Sequence, residues 1–164
     1  MSSYIDFYVK KYGVYIPIAS YSRSSTIYQA FEGAPYGKVS QLKLETINDV
    51  KDSAKEHILK YKKEIEEYTS KINLVRDMSN SVEEKMQTIY ELQASKAEYE
   101  CLIEEEQYAI FFFDFLIATI DSYFGNKLYY GVDAGNPMVI EWDKFGRPIK
   151  QYKVEVSEEE VHYE

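Results

Sequence analysis

Between Thr46 and Phe124 the chain repeats apolar residues at a spacing that commits it to long, paired helices. Ile47, Val50, Ala54 and Ile58 are followed by Tyr61, Ile65, Tyr68, Ile72 and Val75, at steps of three and four residues. Such steps line every one of these side chains along one side of an α-helix, as a coiled-coil seam. One eleven-residue segment opens the seam, and Thr46 with Asp49 is the candidate cap at its start. Met78-Ser79-Asn80-Ser81 breaks the pattern, and Ser81 with Glu84 fits a capping box for a second helix. There the repeat is seven residues: Val82, Ile89, Lys96, Ile103, Ile110, Ile117 and Phe124, with Lys85, Leu92, Tyr99, Glu106, Phe113 and Ile120 as companions. Gly125-Asn126 supplies the stop. Two helices joined by so short a loop run antiparallel. Lys96 and Glu106 are polar members of the seam; such residues fix register at a cost in stability, or lay a lysine stem across it with the head in water.

The two helices differ in length. The first, about 46–78, spans ~50 Å, and the second, about 82–124, spans ~64 Å. Folding the hairpin near residue 80 leaves the last turns of the second helix without a partner from the first. That portion is apolar on extra faces through Phe111, Phe112, Phe115 and Leu116, so other segments must cover it. The ends of the chain supply the cover. Residues 4–22 read as two strands around a turn near Lys10-Lys11-Tyr12-Gly13, with Pro17 marking an edge or a bulge. A short helix over about 24–32 follows and ends in Gly33-Ala34-Pro35-Tyr36-Gly37. Residues 125–156 read as strands, including a hairpin that turns at Asp143–Gly146. Residues 157–164 form an acidic tail. The expectation is an α+β chain in one domain: a long antiparallel two-helix coiled-coil hairpin (46–124) carried by a small β-containing head from residues 1–45 and 125–156.

Charge and composition narrow the function. The 164 residues carry a net charge of −9, which argues against direct contact with nucleic acid. The charge is uneven: residues 1–43 hold five basic and two acidic groups, and residues 81–124 hold two and ten. The apolar stretch 108–120 is too short for a membrane span, contains Asp114 and follows Glu104-Glu105-Glu106. No signal peptide opens the chain, and the single cysteine, Cys101, suits a reducing compartment, so a cytoplasmic protein is expected.

No catalytic constellation, metal-ligand spacing or cofactor motif is legible. His57 and His162 stand apart from ligand-spaced neighbours, no phosphate-binding glycine loop or nucleophile motif is present, and no diagnostic family motif stands out. A non-enzyme without a cofactor is the expectation. The most ordered surface feature is Glu84, Glu91, Glu98 and Glu105, a seven-residue row that continues into Phe112 beside Phe111. A soluble coiled coil always has a charged outer face, and Lys51, Lys55, Lys60, Lys62 and Lys63 fall near the upper part of the row, where they offset some of it. Read as functional, the row and Phe111 and Phe112 form an interaction face for a protein with a basic surface. Its step of ~10.5 Å is longer than a phosphate repeat, so the row does not trace a DNA strand.

The one basic region contains Ser22-Arg23-Ser24-Ser25 before the short helix. Arg23, Ser24 and Ser25 are therefore candidates for an anion site, against the simpler role of capping that helix. Three functions follow. The first is a protein-binding module, in its most concrete form an inhibitor carried by a phage or mobile element (anti-defence, anti-CRISPR-like) against a nucleic-acid-binding host enzyme. The second is a structural coiled coil that pairs into a homodimer. The third is small-anion or nucleotide sequestration by Arg23 and Ser24.

Overall fold

The computed structural model describes residues 3–122, 127–134, 139–151 and 156. The turn residues Gly125 and Asn126, the seam residue Phe124 and the acidic tail with His162 lie outside the described residues. The fold is α+β, with two long helices packed against each other and a small antiparallel sheet from the N- and C-terminal segments. The chain divides into two compact units, Met1–Val50 with Phe112–Glu164, and Lys51–Phe111.

In the first unit, β1 (Tyr4–Lys11) and β2 (Val14–Ser22) form the expected hairpin. Tyr12 and Gly13 make its two-residue turn with φ of 54° and 78°, the double left-handed conformation that matches strand twist. Phe7 pairs with Ala19 and Tyr8 with Pro17, so the bulge sits beside Pro17. β2 is also the outermost strand, where a residue without an N–H is tolerated. α1 (Thr26–Ala30) follows, then β3 (Ser40–Leu42), a strand that three residues are too few to announce. Past the long helices, β4 (Leu128–Val132) inserts between β1 and β3, giving the order β2-β1-β4-β3. Gly131 is required in β4: a Cβ there would run into the backbone carbonyl oxygen of Lys38.

Strand alternation gives this sheet two buried faces. Ile5, Phe7 and Val9 point to one side, where Phe7 meets Phe31 and Phe112 edge-to-face at 5.4 and 5.0 Å between centroids. Phe31 in turn meets Phe113 at 5.7 Å. A buried phenylalanine is worth roughly 1.5–3 kcal/mol and an edge-to-face pair about 0.5–1.5 kcal/mol more, so these rings dominate the unit. Tyr8, Tyr15, Val39, Tyr129 and Ala134 cluster on the other side, with Val156 against them. The separate hairpin of β5 (Val139–Trp142) and β6 (Pro148–Gln151) turns where expected, and Asp143 organises the turn. Its Oδ1 accepts from the N–H of Phe145 and of Arg147, and its Oδ2 accepts from Arg147 Nε at 2.6 Å. The Arg147 N–H is the leading cause that holds this carboxyl below its ordinary value.

The long helices are α2 (Leu44–Arg76) and α3 (Val82–Ile120). α2 begins two residues before Thr46, with Lys43 accepting from the Ile47 N–H at 3.2 Å, so Thr46 is a first-turn residue and not the cap. Ser81 does cap α3, its Oγ accepting from the Glu84 N–H at 3.3 Å. Within the unit Lys51–Phe111 the two helices run antiparallel. Tyr99 of α3 lies 5.9 Å from both Tyr61 and Tyr68 of α2, and Lys85 Nζ donates to the Arg76 carbonyl. The seam residues Ile58, Tyr61, Ile65, Tyr68, Ile89, Leu92, Lys96, Tyr99 and Ile103 are all half-buried. Val82, the first seam position of α3, is exposed beside the loop. α3 beyond Phe111 belongs to the sheet unit, where Phe112, Phe113 and Leu116 are core.

Candidate interaction face on the third helix

Four glutamates define the site by exposure. Glu84, Glu91, Glu98 and Glu105 all lie open on α3, as a seven-residue repeat on a helix packed through other positions requires. Phe111 extends the face and is 73% exposed. Phe112 does not belong to it. It is 5% exposed, with its ring against Phe7 and Tyr21, because the seven-residue row reaches the sheet at that level. The two phenylalanines paired in the sequence therefore divide between core and surface.

A second row, unrecognised in the sequence, runs beside the glutamates. Tyr90, Ala94, Ala97, Cys101, Glu104, Tyr108 and Phe111 step by four and three residues, and every one is exposed. Their heptad positions are opposite those of the hairpin seam, so α3 carries a second stripe on its far side, apolar except at Glu104. The spacing is present in the sequence. Two alanines and a cysteine in its middle make it inconspicuous beside the stronger seam. Glu91, Glu98 and Glu105 flank this stripe on one side, and Gln93, Glu100 and Gln107 flank it on the other, all exposed.

The seam carboxylate Glu106 has a partner that sequence distance hides. It is 8% exposed, and its Oε1 lies 3.2 Å from Nδ1 of His57, forty-nine residues away. Burial is the main cause raising this carboxyl above its ordinary value; the His57 contact pulls it back and Glu105 pushes it further up. The Tyr61 phenol beside it is raised by burial first and by Glu106 and Glu105 after that. His57 is thus not isolated. It supplies the hydrogen bond that a buried carboxyl needs.

Arg23, Ser24 and Ser25 sit together at the start of α1. Ser25 caps that helix, its Oγ accepting from the Ile27 N–H at 3.1 Å. The Arg23 N–H donates to the Ser3 carbonyl and the Ser25 N–H to that of Ser22, so these amides serve the chain itself. The Ser24 hydroxyl is paired with that of Ser22 at 3.0 Å. Arg23 borders an open cavity of about 420 Å³ that also exposes Glu32, a like-charged neighbour for any anion. Among the described residues, no group of three or more His, Cys, Asp or Glu could hold a metal ion, and no helix is long and apolar enough to cross a membrane. Comparison with protein-family models, curated proteins and solved structures finds no match for this chain.

Proposed function

We propose that this chain is a non-enzymatic protein-binding module that engages a basic surface of its partner through the outward face of α3. The observation carrying this reading is the exposure of Glu84, Glu91, Glu98 and Glu105 in one line, with the exposed ring of Phe111 in the row beside it. Acidic rims steer a basic partner and set its orientation, while a buried aromatic anchor supplies most of the affinity. In its most concrete form the module is an inhibitor, of the kind phages and mobile elements carry, seated on the basic surface of a nucleic-acid-binding host enzyme.

The test is recovery of the partner from the native host with tagged wild-type chain and with the variant carrying Glu84→Lys, Glu91→Lys, Glu98→Lys and Glu105→Lys. All four positions are exposed, so the far-ultraviolet circular dichroism of the variant stays that of the wild type. The wild type retains its partner and the variant loses it at least tenfold. Equal recovery by both proteins rejects the acidic face as the binding surface.

A further inference from the structure

We infer that the partner presents an amphipathic helix with basic flanks, which lies along the exposed stripe Tyr90, Ala94, Ala97, Cys101, Tyr108 and Phe111 of α3. This rests on the acidic-face reading above and names the shape of what that face accepts.

The stripe calls for an occupant of helical period. With Glu104, its one charged member between Cys101 and Tyr108, the stripe repeats at steps of four and three, the spacing whose gaps receive the side chains of another helix. α2 packs on the opposite side of α3 through Tyr61, Tyr68 and His57, so this second stripe faces away from that seam and its members stay exposed. Its relief also suits a helix. Tyr90 and Phe111, 70% and 73% exposed, stand at the ends as anchors. Ala94, Ala97 and Cys101 between them let a second backbone approach closely. From residue 90 to residue 111 the stripe runs about 31 Å, the length of a helix of roughly twenty residues.

The rim selects the charge of that helix. Glu91, Glu98 and Glu105 line one flank and Glu100 stands in the other, while Lys96, the cation of this stretch, is half-buried in the opposite seam. A helix with lysine or arginine beside its apolar face meets opposite charge on both flanks. A second copy of this chain would bring two such rims together, from a segment with two basic and ten acidic residues, and like charges so placed oppose pairing.

Fluorescence anisotropy of the full chain with three labelled synthetic peptides of 21 residues tests the inference. The first has leucine at the a and d positions of three heptads and lysine at e and g. The second has the same composition with its leucines scattered around the helix. The third replaces each lysine of the first with glutamate. The first peptide binds at least tenfold more tightly than the other two, and Ala97→Glu and Phe111→Ser each weaken it at least tenfold. Both positions are exposed, and unchanged circular dichroism certifies the fold of each variant. Equal binding of the first two peptides overturns the helix while leaving the acidic-face reading standing. Equal binding of the first and third removes the role of the rim and overturns the inference, while the acidic-face reading rests on partner recovery. Failure of all three overturns the helix alone, because the acidic-face reading is decided by partner recovery with the charge-reversed chain. Sedimentation equilibrium showing a dimer that Ala97→Glu dissolves assigns the stripe to a second copy and overturns the inference.

Discussion

The sheet unit and the helical hairpin bury their aromatic residues in opposite ways. Around the sheet, Phe7, Tyr8, Phe113 and Tyr129 are almost wholly closed from solvent, because layers cover both faces of β1 and β4. In the hairpin, Tyr61, Tyr68 and Tyr99 are only half-buried, since two helices alone cannot enclose the seam between them. The choice of residue follows the environment. In the sheet unit phenylalanine fills one closed face and Tyr8, Tyr15 and Tyr129 fill the other, whereas in the hairpin tyrosine, with an apolar ring and a wet hydroxyl, lines the open seam. Stability is concentrated in the sheet unit. The hairpin contributes surface.

The largest expected effect tests that contrast. Phe113→Ala removes a fully buried ring and costs about 3–5 kcal/mol in urea unfolding, whereas Ile65→Ala in the half-buried seam costs roughly 1–2 kcal/mol. Equal losses would mean that the two regions are equally closed.

A smaller effect of opposite sign is expected at Tyr8. Its hydroxyl is buried with no hydrogen-bond partner among the described residues, and burial and then Asp6 push the phenol upward. Tyr8→Phe removes that unpaired group and stabilises the chain by about 1 kcal/mol. Destabilisation would reveal a partner for the hydroxyl.

The hairpin provides the third comparison, through Glu106. Its carboxyl is raised in the folded chain, mainly by burial, so folding favours the protonated form. The charged form costs stability above the folded value. That cost is relieved as pH falls through the folded value towards the ordinary 4.5, and the benefit is full below it. Relative to Glu106→Gln, which does not titrate, the wild type therefore gains stability from pH 7 to about pH 4.5. Urea unfolding of both proteins across that range measures the difference, and a constant gap would remove burial as the cause.

The same contrast explains what the sequence made legible. Local signals were sufficient for the β1–β2 turn at Tyr12-Gly13, the bulge beside Pro17, the Ser81 cap and the seam, because each is set within a few residues. β3 escapes because Ser40-Gln41-Leu42 is too short to show alternation and takes its identity from β4, almost ninety residues on. The helix α3 ends at Ile120, before the expected stop at Gly125-Asn126. The burial of Phe112 and the contact of His57 with Glu106 depend on which segment arrives opposite them, which spacing along one helix does not encode. The row of glutamates was legible because charge is conspicuous. The apolar stripe beside it was not, since alanine and cysteine carry little weight in a hydrophobic pattern.

Cys101 gives the most direct test of α3 as the binding surface. It is the single cysteine of the chain, exposed at the middle of the stripe, with Glu98 and Glu105 a turn to either side. The measurement is the rate of its alkylation by iodoacetamide, in the free protein and in the complex with the partner purified from the native host. A partner seated on the outward face of α3 slows the reaction at least tenfold. An unchanged rate in a saturated complex would place the partner elsewhere and contradict the account.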